Sequence, residues 1–492
     1  MQQNTSESII KRLIEKFQLK VNICKIMDII LYIAMKFLSK DDKQFVWHPY
    51  TQMKDWIQQN NNKVIVKGEG FYIIDSEGNK YLDGIASMWC NVWGHGQNDV
   101  SDAMIKQINT LQHSTLFGLA NEPSINLAEK LLKIAKGMDR VFYSDNGSTA
   151  IEVAMKMALQ YYTNIGKLKK NRFISIENGY HGDTVAAMSV GYIKKYFGAY
   201  KPLLAPVYRA PSPLFKNNNN NKKNLKYSAD KNSSADFVND CIEKTENILK
   251  KYNTECCALV MESGAQIAGG VIIYPQDYQK KIAELCQKYD VLLILDEIAT
   301  GFGRLGNMVE YISQGSPPDI VCFGKALTAG YFPLAVTLTT KKIFESFLGD
   351  YSENKQFYHG HTFTGNPIGC ATAIANIEAY QRQNLIQQIR ENSKHISNRL
   401  KELDSFNIIA DIRHKGLLTG IELEKDGKPV EILKDNQRLN YFVMKESLKM
   451  GVFLRPLGNI LMFIPPLAIN KKDLDKIIDV QFELIKMIES KV

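Results

Sequence analysis

No CxxC pair and no regular cysteine spacing occur in this 492-residue sequence, although it holds eight cysteines, at 24, 90, 241, 256, 257, 286, 322 and 370. A disulfide framework is thereby excluded, and reduced thiols in a cytoplasmic location are expected. No GK[ST] follows a glycine-rich loop, which counts against a P-loop NTPase. A G-x-G-x-x-G fingerprint is not expected, which counts against a Rossmann dinucleotide site. A nucleic-acid footprint is missing too, because the net charge of +9, from 61 basic against 52 acidic residues, forms no dense basic block. No apolar run is long and uncharged enough to span a membrane. The nearest, VNICKIMDIILYIAMKFL (21–38), is interrupted by Lys25, Asp28 and Lys36. A cleaved signal has an uncharged core and a transit peptide is poor in acids, whereas Glu7, Glu15 and Asp28 lie here. Residues 1–44 are therefore expected to form a helical extension, with a mitochondrial presequence as the alternative.

What is present is an ordinary globular composition, 45% hydrophobic and 23% charged, in a chain long enough for two or three domains. Two asparagine runs, QQNNN (58–62) and NNNNNKKN (217–224), lack any apolar period and are expected to be solvated loops, the second beginning an insertion to about Ser234. Elsewhere strand-length apolar runs alternate with helix-length amphipathic stretches. RVFYS (140–144) precedes the helical STAIEVAMKMALQYY (148–162) and then RFISIE (172–177). CCALVMES (256–263) precedes DYQKKIAELCQKYD (277–290) and then VLLILDE (291–297). This rhythm predicts an α/β domain with a mostly parallel sheet covered by helices on both faces. From about residue 381 the pattern turns to longer helices and short strands such as LLTGIELE (417–424), predicting a smaller α+β domain. The domains expected are a segment 45–95 contributing to the small domain and the active site, a large domain 96–380 and a small domain 381–492. No internal repeat is visible.

In parallel sheets ligands collect beyond the carboxyl ends of the strands, so the residues just after each apolar run carry the functional signal. SDNGST (144–149) offers backbone N–H groups, a hydroxyl and a helix start, the makings of a phosphate site, although Ser or Thr there is also an ordinary cap. Asp296 ends VLLILD, and a buried carboxylate demands a cationic partner: a structural salt bridge or a protonated pyridine nitrogen. Tyr180, in NGYHGDT (178–184), follows a strand and is placed to stack on a flat ring. Lys325 follows IVCFG. An ammonium there snorkels to water, or loses its proton and becomes a nucleophilic amine. His359 and His361 in YHGHTFTGNP have no partner at metal-ligand spacing, and no metal is expected. Each residue alone has a dull explanation. Together a phosphate cup, an aromatic plate, a carboxylate and a lysine, each just after a strand, match what pyridoxal phosphate requires.

SDNGSTAIEVAMKMA, NGYHGDT, LDEIATGFGRLG, FGKALTAGYFPLAV and HGHTFTGNPIGCA stand in the order that resembles the class III, fold-type I, pyridoxal-phosphate aminotransferases. WHPYTQM (47–53), ASMWCNVWGHG, HSTLFGLAN and RPLGNILMFIPPL (455–467) resemble the biotin-pathway branch of that class. The resemblance covers about residue 45 to the C-terminus. It implies Lys325 as the Schiff-base lysine, Asp296 as partner of the pyridinium nitrogen, Gly147 and Ser148 as phosphate ligands and Tyr180 as the ring stack. It further implies that Thr362 reaches the phosphate from the neighbouring subunit of a homodimer, and that Tyr50, Trp89, Gly360 and Arg455 line the substrate pocket, Arg455 holding the acceptor carboxylate. The acceptor implied is 8-amino-7-oxononanoate and the donor S-adenosylmethionine or L-lysine. Met88, where donors of the first kind go with a second tryptophan, and Met462, where they go with a nearby aromatic, resemble the lysine-using branch. An ω-amino-acid or acetylornithine-type transaminase is the alternative.

Overall fold

The computed structural model describes residues 38–59, 62–214, 233–434 and 437–492. Most of the N-terminal extension (1–37) and most of the asparagine-rich insertion (215–232) lie outside the described residues. The chain divides into two compact units, Met1–Tyr81 and Leu82–Val492.

In the first unit a short helix, Met53–Gln58, precedes an antiparallel hairpin of Ile65–Glu69 and Tyr72–Asp75 that turns at Gly70, whose φ of 56° suits a residue without Cβ. Asp42 ties down the WHPYTQM segment: its Oδ1 lies 2.8 Å from His48 Nε2, and its Oδ2 accepts from Trp56 Nε1 at 2.8 Å. The stretch 58–62 is not wholly solvated as expected. Gln58 ends the helix, and Asn62 is buried and donates from Nδ2 to the Trp56 carbonyl at 3.0 Å, because the chain must tuck in before the hairpin.

The main sheet of the second unit has seven strands: β1 (Arg140–Ser144), β2 (Arg172–Ile176), β3 (Val207–Ala210), β4 (Cys256–Glu262), β5 (Leu292–Asp296), β6 (Ile320–Phe323) and β7 (Ala335–Thr339). Their order is β1-β7-β6-β5-β4-β2-β3. β3, β2, β4, β5 and β6 run parallel, while β7 is antiparallel to both β6 and β1. A parallel return needs a crossover of a dozen or more residues, usually a helix, and the link 324–334 offers only a 3₁₀ turn, so β7 comes back antiparallel. β4, β5 and β6 are buried at every position, which is why they read as unbroken apolar runs.

Helix α1 (Gly147–Asn164) covers one face with Ala150, Ile151, Ala154 and Ala158, in one cluster with Val260, Ile294, Ile320 and Cys322. Its small residues let the helix approach the sheet closely. Each fully buried Val or Ile in this layer contributes about 1.5–3 kcal/mol. The predicted helix at 277–290 is α2 (Tyr278–Lys288). Helices α3 (Pro367–Arg382) and α4 (Leu385–Arg399) lead into an antiparallel sheet of β8 (Ile409–Lys415), β9 (Leu418–Lys425) and β10 (Ile460–Phe463), followed by α5 (Lys471–Glu489). After residue 381 the elements form an α+β arrangement. Among the described residues no helix is long and apolar enough to cross a membrane.

Candidate active site

The parallel strands end along one edge, and the segments leaving their carboxyl ends surround a cavity of about 240 Å³. That volume lies just below the usual range for small-molecule sites, roughly 300–1,000 Å³. Trp89, Asn146, Gly147, Ser148, Tyr180 and Lys325 are among its walls.

β4 and β5 deliver two carboxyl groups side by side, since Glu262 and Asp296 are partners in the parallel register. Asp296 is 5% exposed; its Oδ2 lies 2.8 Å from His181 Nδ1 and its Oδ1 accepts from the Ile298 N–H at 2.9 Å. Glu262 accepts from the Tyr180 N–H at 3.1 Å and from the Ile267 N–H at 3.0 Å. Burial, and then the neighbouring Asp296, push its carboxyl up to about 8, so it keeps its proton at neutral pH.

β6 delivers Lys325, one residue past Gly324, at a φ of 44° that non-glycine residues seldom adopt. Burial pulls its ammonium below the ordinary lysine value, against the opposing pull of Asp296. A desolvated lysine spends more of its time as the neutral amine, the form that acts as nucleophile and proton acceptor. Its Nζ lies 5.7 Å from the centre of the Trp89 ring.

β1 leads into α1 through Asn146, whose side chain accepts from the Thr149 N–H at 3.1 Å while Thr149 Oγ1 accepts from the Asn146 N–H at 3.2 Å. This capping box leaves the start of the helix, where N–H groups have no intrahelical acceptor, facing the cavity at Gly147 and Ser148. The walls here are tight. A Cβ on Gly147 would stand 2.8 Å from Ile298 Cγ2, and one on Gly182 would stand 2.0 Å from Ser148 Oγ. Thr300 Oγ1, also at the cavity, is buried with no hydrogen-bond partner among the described residues. A helix start without side-chain bulk, an unmatched buried hydroxyl and a buried carboxylate opposite a lysine fit a phosphorylated pyridine aldehyde.

Of the residues expected from sequence, Gly147, Ser148, Tyr180, Asp296, Lys325 and Trp89 meet at this one cavity. Gly360, Thr362 and Arg455 are not among its lining residues. Gly360 and Thr362 are exposed, and Arg455 is half-buried in the field of Tyr196. Tyr50 belongs to the first unit, where it is 50% exposed. Sequence reasoning missed Glu262, His181 and Thr300. Glu262 had a signal, since CCALVMES ends in a carboxylate just as VLLILD does. The pattern G-x-G-x-x-G, not expected, is spelled by Gly301–Gly306, but turns come after it and the next helix is the single turn Glu310–Ser313. No helix start is there to receive a pyrophosphate.

The aminotransferase class-III model matches residues 56–485, and this chain belongs to that family. It is a pyridoxal-phosphate-dependent aminotransferase of fold-type I. It is 42% identical over 439 residues to adenosylmethionine-8-amino-7-oxononanoate aminotransferase of Geobacter sulfurreducens, covering 89% of this chain and 95% of that one. The crystal structure of the Methanocaldococcus jannaschii protein of the same name superposes with a TM-score of 0.83 at 40% identity, covering 92% of this chain and 99% of that one. An omega transaminase from Pseudomonas jessenii in complex with PMP superposes equally well, with a TM-score of 0.83 and the same coverage, but at 28% identity.

Proposed function

We propose that this enzyme transfers an amino group to 8-amino-7-oxononanoate, giving 7,8-diaminononanoate in biotin biosynthesis, with S-adenosylmethionine or L-lysine as donor. The observation that carries the reading is the half-buried Lys325 meeting Asp296, Tyr180 and the α1 start at one cavity, in a chain about 40% identical to relatives of that name.

Pyridoxal phosphate, when bound, supplies an electron sink and holds the amino group between donor and acceptor. Gly147 and Ser148 would hold its phosphate at the positive end of α1, Asp296 its ring nitrogen, Tyr180 its ring face and Lys325 its aldehyde carbon. His181, fixed on Asp296, orients that carboxylate. Lys325 Nζ, as a free amine, would take a proton from the donor carbon and deliver it onward, a transfer worth about 10²- to 10⁴-fold when positioned. Burial, by pulling the ammonium below the ordinary lysine value, favours the neutral amine that this transfer needs. Because donor and acceptor use the same cavity in turn, the kinetics are ping-pong.

Arg455 would grip the acceptor carboxylate, for which a guanidinium fork is suited, with Tyr50, Trp89 and Gly360 as further pocket residues. The exposure of Gly360 and Thr362 on their own chain supports a homodimer in which Thr362 serves the partner's phosphate site. The seven cysteines of the described residues form no disulfide, which supports a cytoplasmic location. The separateness of the β1–β7 and β8–β10 sheets supports a boundary near residue 380.

Met462 is 3% exposed in the apolar cluster against which Trp89 packs, while Met88 is 47% exposed. The two methionines favour L-lysine as donor. The test is a half-reaction: enzyme loaded with pyridoxal phosphate is given L-lysine or S-adenosylmethionine separately, and the cofactor's absorbance is followed. Conversion by one of them supports the reading and names the donor. Conversion by neither, with conversion by an ω-amino acid, would put the alternative transaminase in its place.

A further inference from the structure

Trp89 reaches the cavity from an unusual piece of backbone. Ala86, Ser87, Met88 and Trp89 have φ of 47°, 48°, 82° and 71°, four consecutive left-handed residues. Left-handed backbone is normally left to glycine, or to single Asn and Asp residues, because Cβ crowds the following carbonyl. None of these four is Gly, Asn or Asp, so something outside their own preferences must hold them.

The holder is Asp83, 0% exposed at the foot of the turn. Its Oδ1 accepts from the Ser87 N–H at 3.0 Å and its Oδ2 accepts from Ser87 Oγ at 2.6 Å. His95 Nε2 stands 3.5 Å from the same Oδ2. The turn itself closes with the Trp89 N–H donating to the Ile85 carbonyl at 2.9 Å and the Cys90 N–H to the Ala86 carbonyl at 3.0 Å. Its base is fixed: Gly84 donates to the Phe453 carbonyl at 3.0 Å, and a Cβ on Gly84 would stand 2.6 Å from Leu454 Cδ2. At the far end Trp89 faces Lys325, its ring centre 5.7 Å from Nζ.

We propose that Asp83 is a positioning residue: through Ser87 it latches residues 86–89 in the left-handed turn that sets Trp89 against Lys325, and thereby governs how tightly the amino acceptor is held. This rests on the reading of Trp89 as a pocket wall. Asp83 touches no reacting atom. It acts by keeping a backbone conformation populated that the chain would otherwise leave.

The test compares Ser87→Ala with Ser87→Gly in the holoenzyme. Both lose the hydroxyl bonded to Asp83, but glycine accepts a φ near 48° without penalty and alanine does not. For Ser87→Ala the acceptor KM rises about fivefold with kcat within about twofold, the effect of roughly 1 kcal/mol of lost hold. Trp89 emission, taken as the difference from Trp89→Phe, also changes as the ring leaves Lys325. Ser87→Gly recovers at least half of both changes. Asp83→Asn shows a larger KM shift than Ser87→Ala, and if it does not fold, the serine pair decides alone. Equal behaviour of the alanine and glycine variants, whether both normal or both impaired, would overturn the latch. If 8-amino-7-oxononanoate proves not to be the acceptor, the substrate reading fails, while the emission comparison still tests the turn.

Discussion

Glu262→Gln probes the second carboxyl of the site, and its effect changes sign with pH. In the folded protein burial holds the Glu262 proton up to about 8, against 4.5 in the unfolded chain. Below pH 4.5 both states are protonated and the group contributes no pH dependence. Between 4.5 and about 8 only the unfolded chain releases the proton, so wild-type stability falls as pH rises, by about 1.36 kcal/mol per unit. The full span is about 5 kcal/mol by pH 8, after which the loss levels off. Glutamine does not titrate and escapes this loss. It also has only one acceptor oxygen, so the N–H of either Tyr180 or Ile267 goes unmatched, at about 1–3 kcal/mol. Glu262→Gln is therefore less stable than wild type near pH 5 and more stable at pH 8, the curves crossing near pH 6, where about 2 kcal/mol of the loss has accrued. The assay is urea unfolding of the cofactor-free proteins from pH 5 to 8, read as the difference between variant and wild type so that other groups cancel. Parallel curves, with a constant difference, would refute the claim that Glu262 stays protonated in the fold.

The site yields three further expected outcomes. Lys325→Ala still binds pyridoxal phosphate, but borohydride no longer fixes the cofactor to the chain, and turnover falls by at least about 10²–10⁴; near-normal turnover would remove Lys325 from the reaction. Gly147→Ala drives a Cβ into Ile298 and weakens cofactor binding about tenfold, which Ile298→Ala partly restores in an equilibrium titration. Arg455→Ala raises the acceptor KM roughly ten- to a hundredfold while leaving cofactor affinity unchanged, and an equal loss of both would count against a carboxylate grip.

The parallel strands were legible because β4, β5 and β6 are buried at every position and their sequences show it as unbroken apolar runs. Asp296 and Lys325 stood out for the same reason, as charges placed where such runs stop. Glu262 ends an equally apolar run and could have been read alongside them. His181 was masked by Tyr180 beside it, the more obvious ring for a flat ligand. The reversal of β7 comes from a short link rather than from its own residues, which read like any buried strand. The left-handed turn at 86–89 had no signal, because ASMW contains none of the residues that normally adopt that backbone and its cause, Asp83, lies outside it. Gly360, Thr362 and Arg455, assigned through family resemblance, are not among the residues that line the cavity formed at the strand ends.

The most direct test of the central claim is the acceptor half-reaction. Enzyme first converted by its donor to the amine-loaded form is freed of excess donor and mixed with 8-amino-7-oxononanoate or, separately, with 2-oxoglutarate, while absorbance and product mass are followed. The expected result is rapid return of the original cofactor band with formation of 7,8-diaminononanoate, and little response to 2-oxoglutarate. Return with 2-oxoglutarate and silence with 8-amino-7-oxononanoate would contradict the assignment.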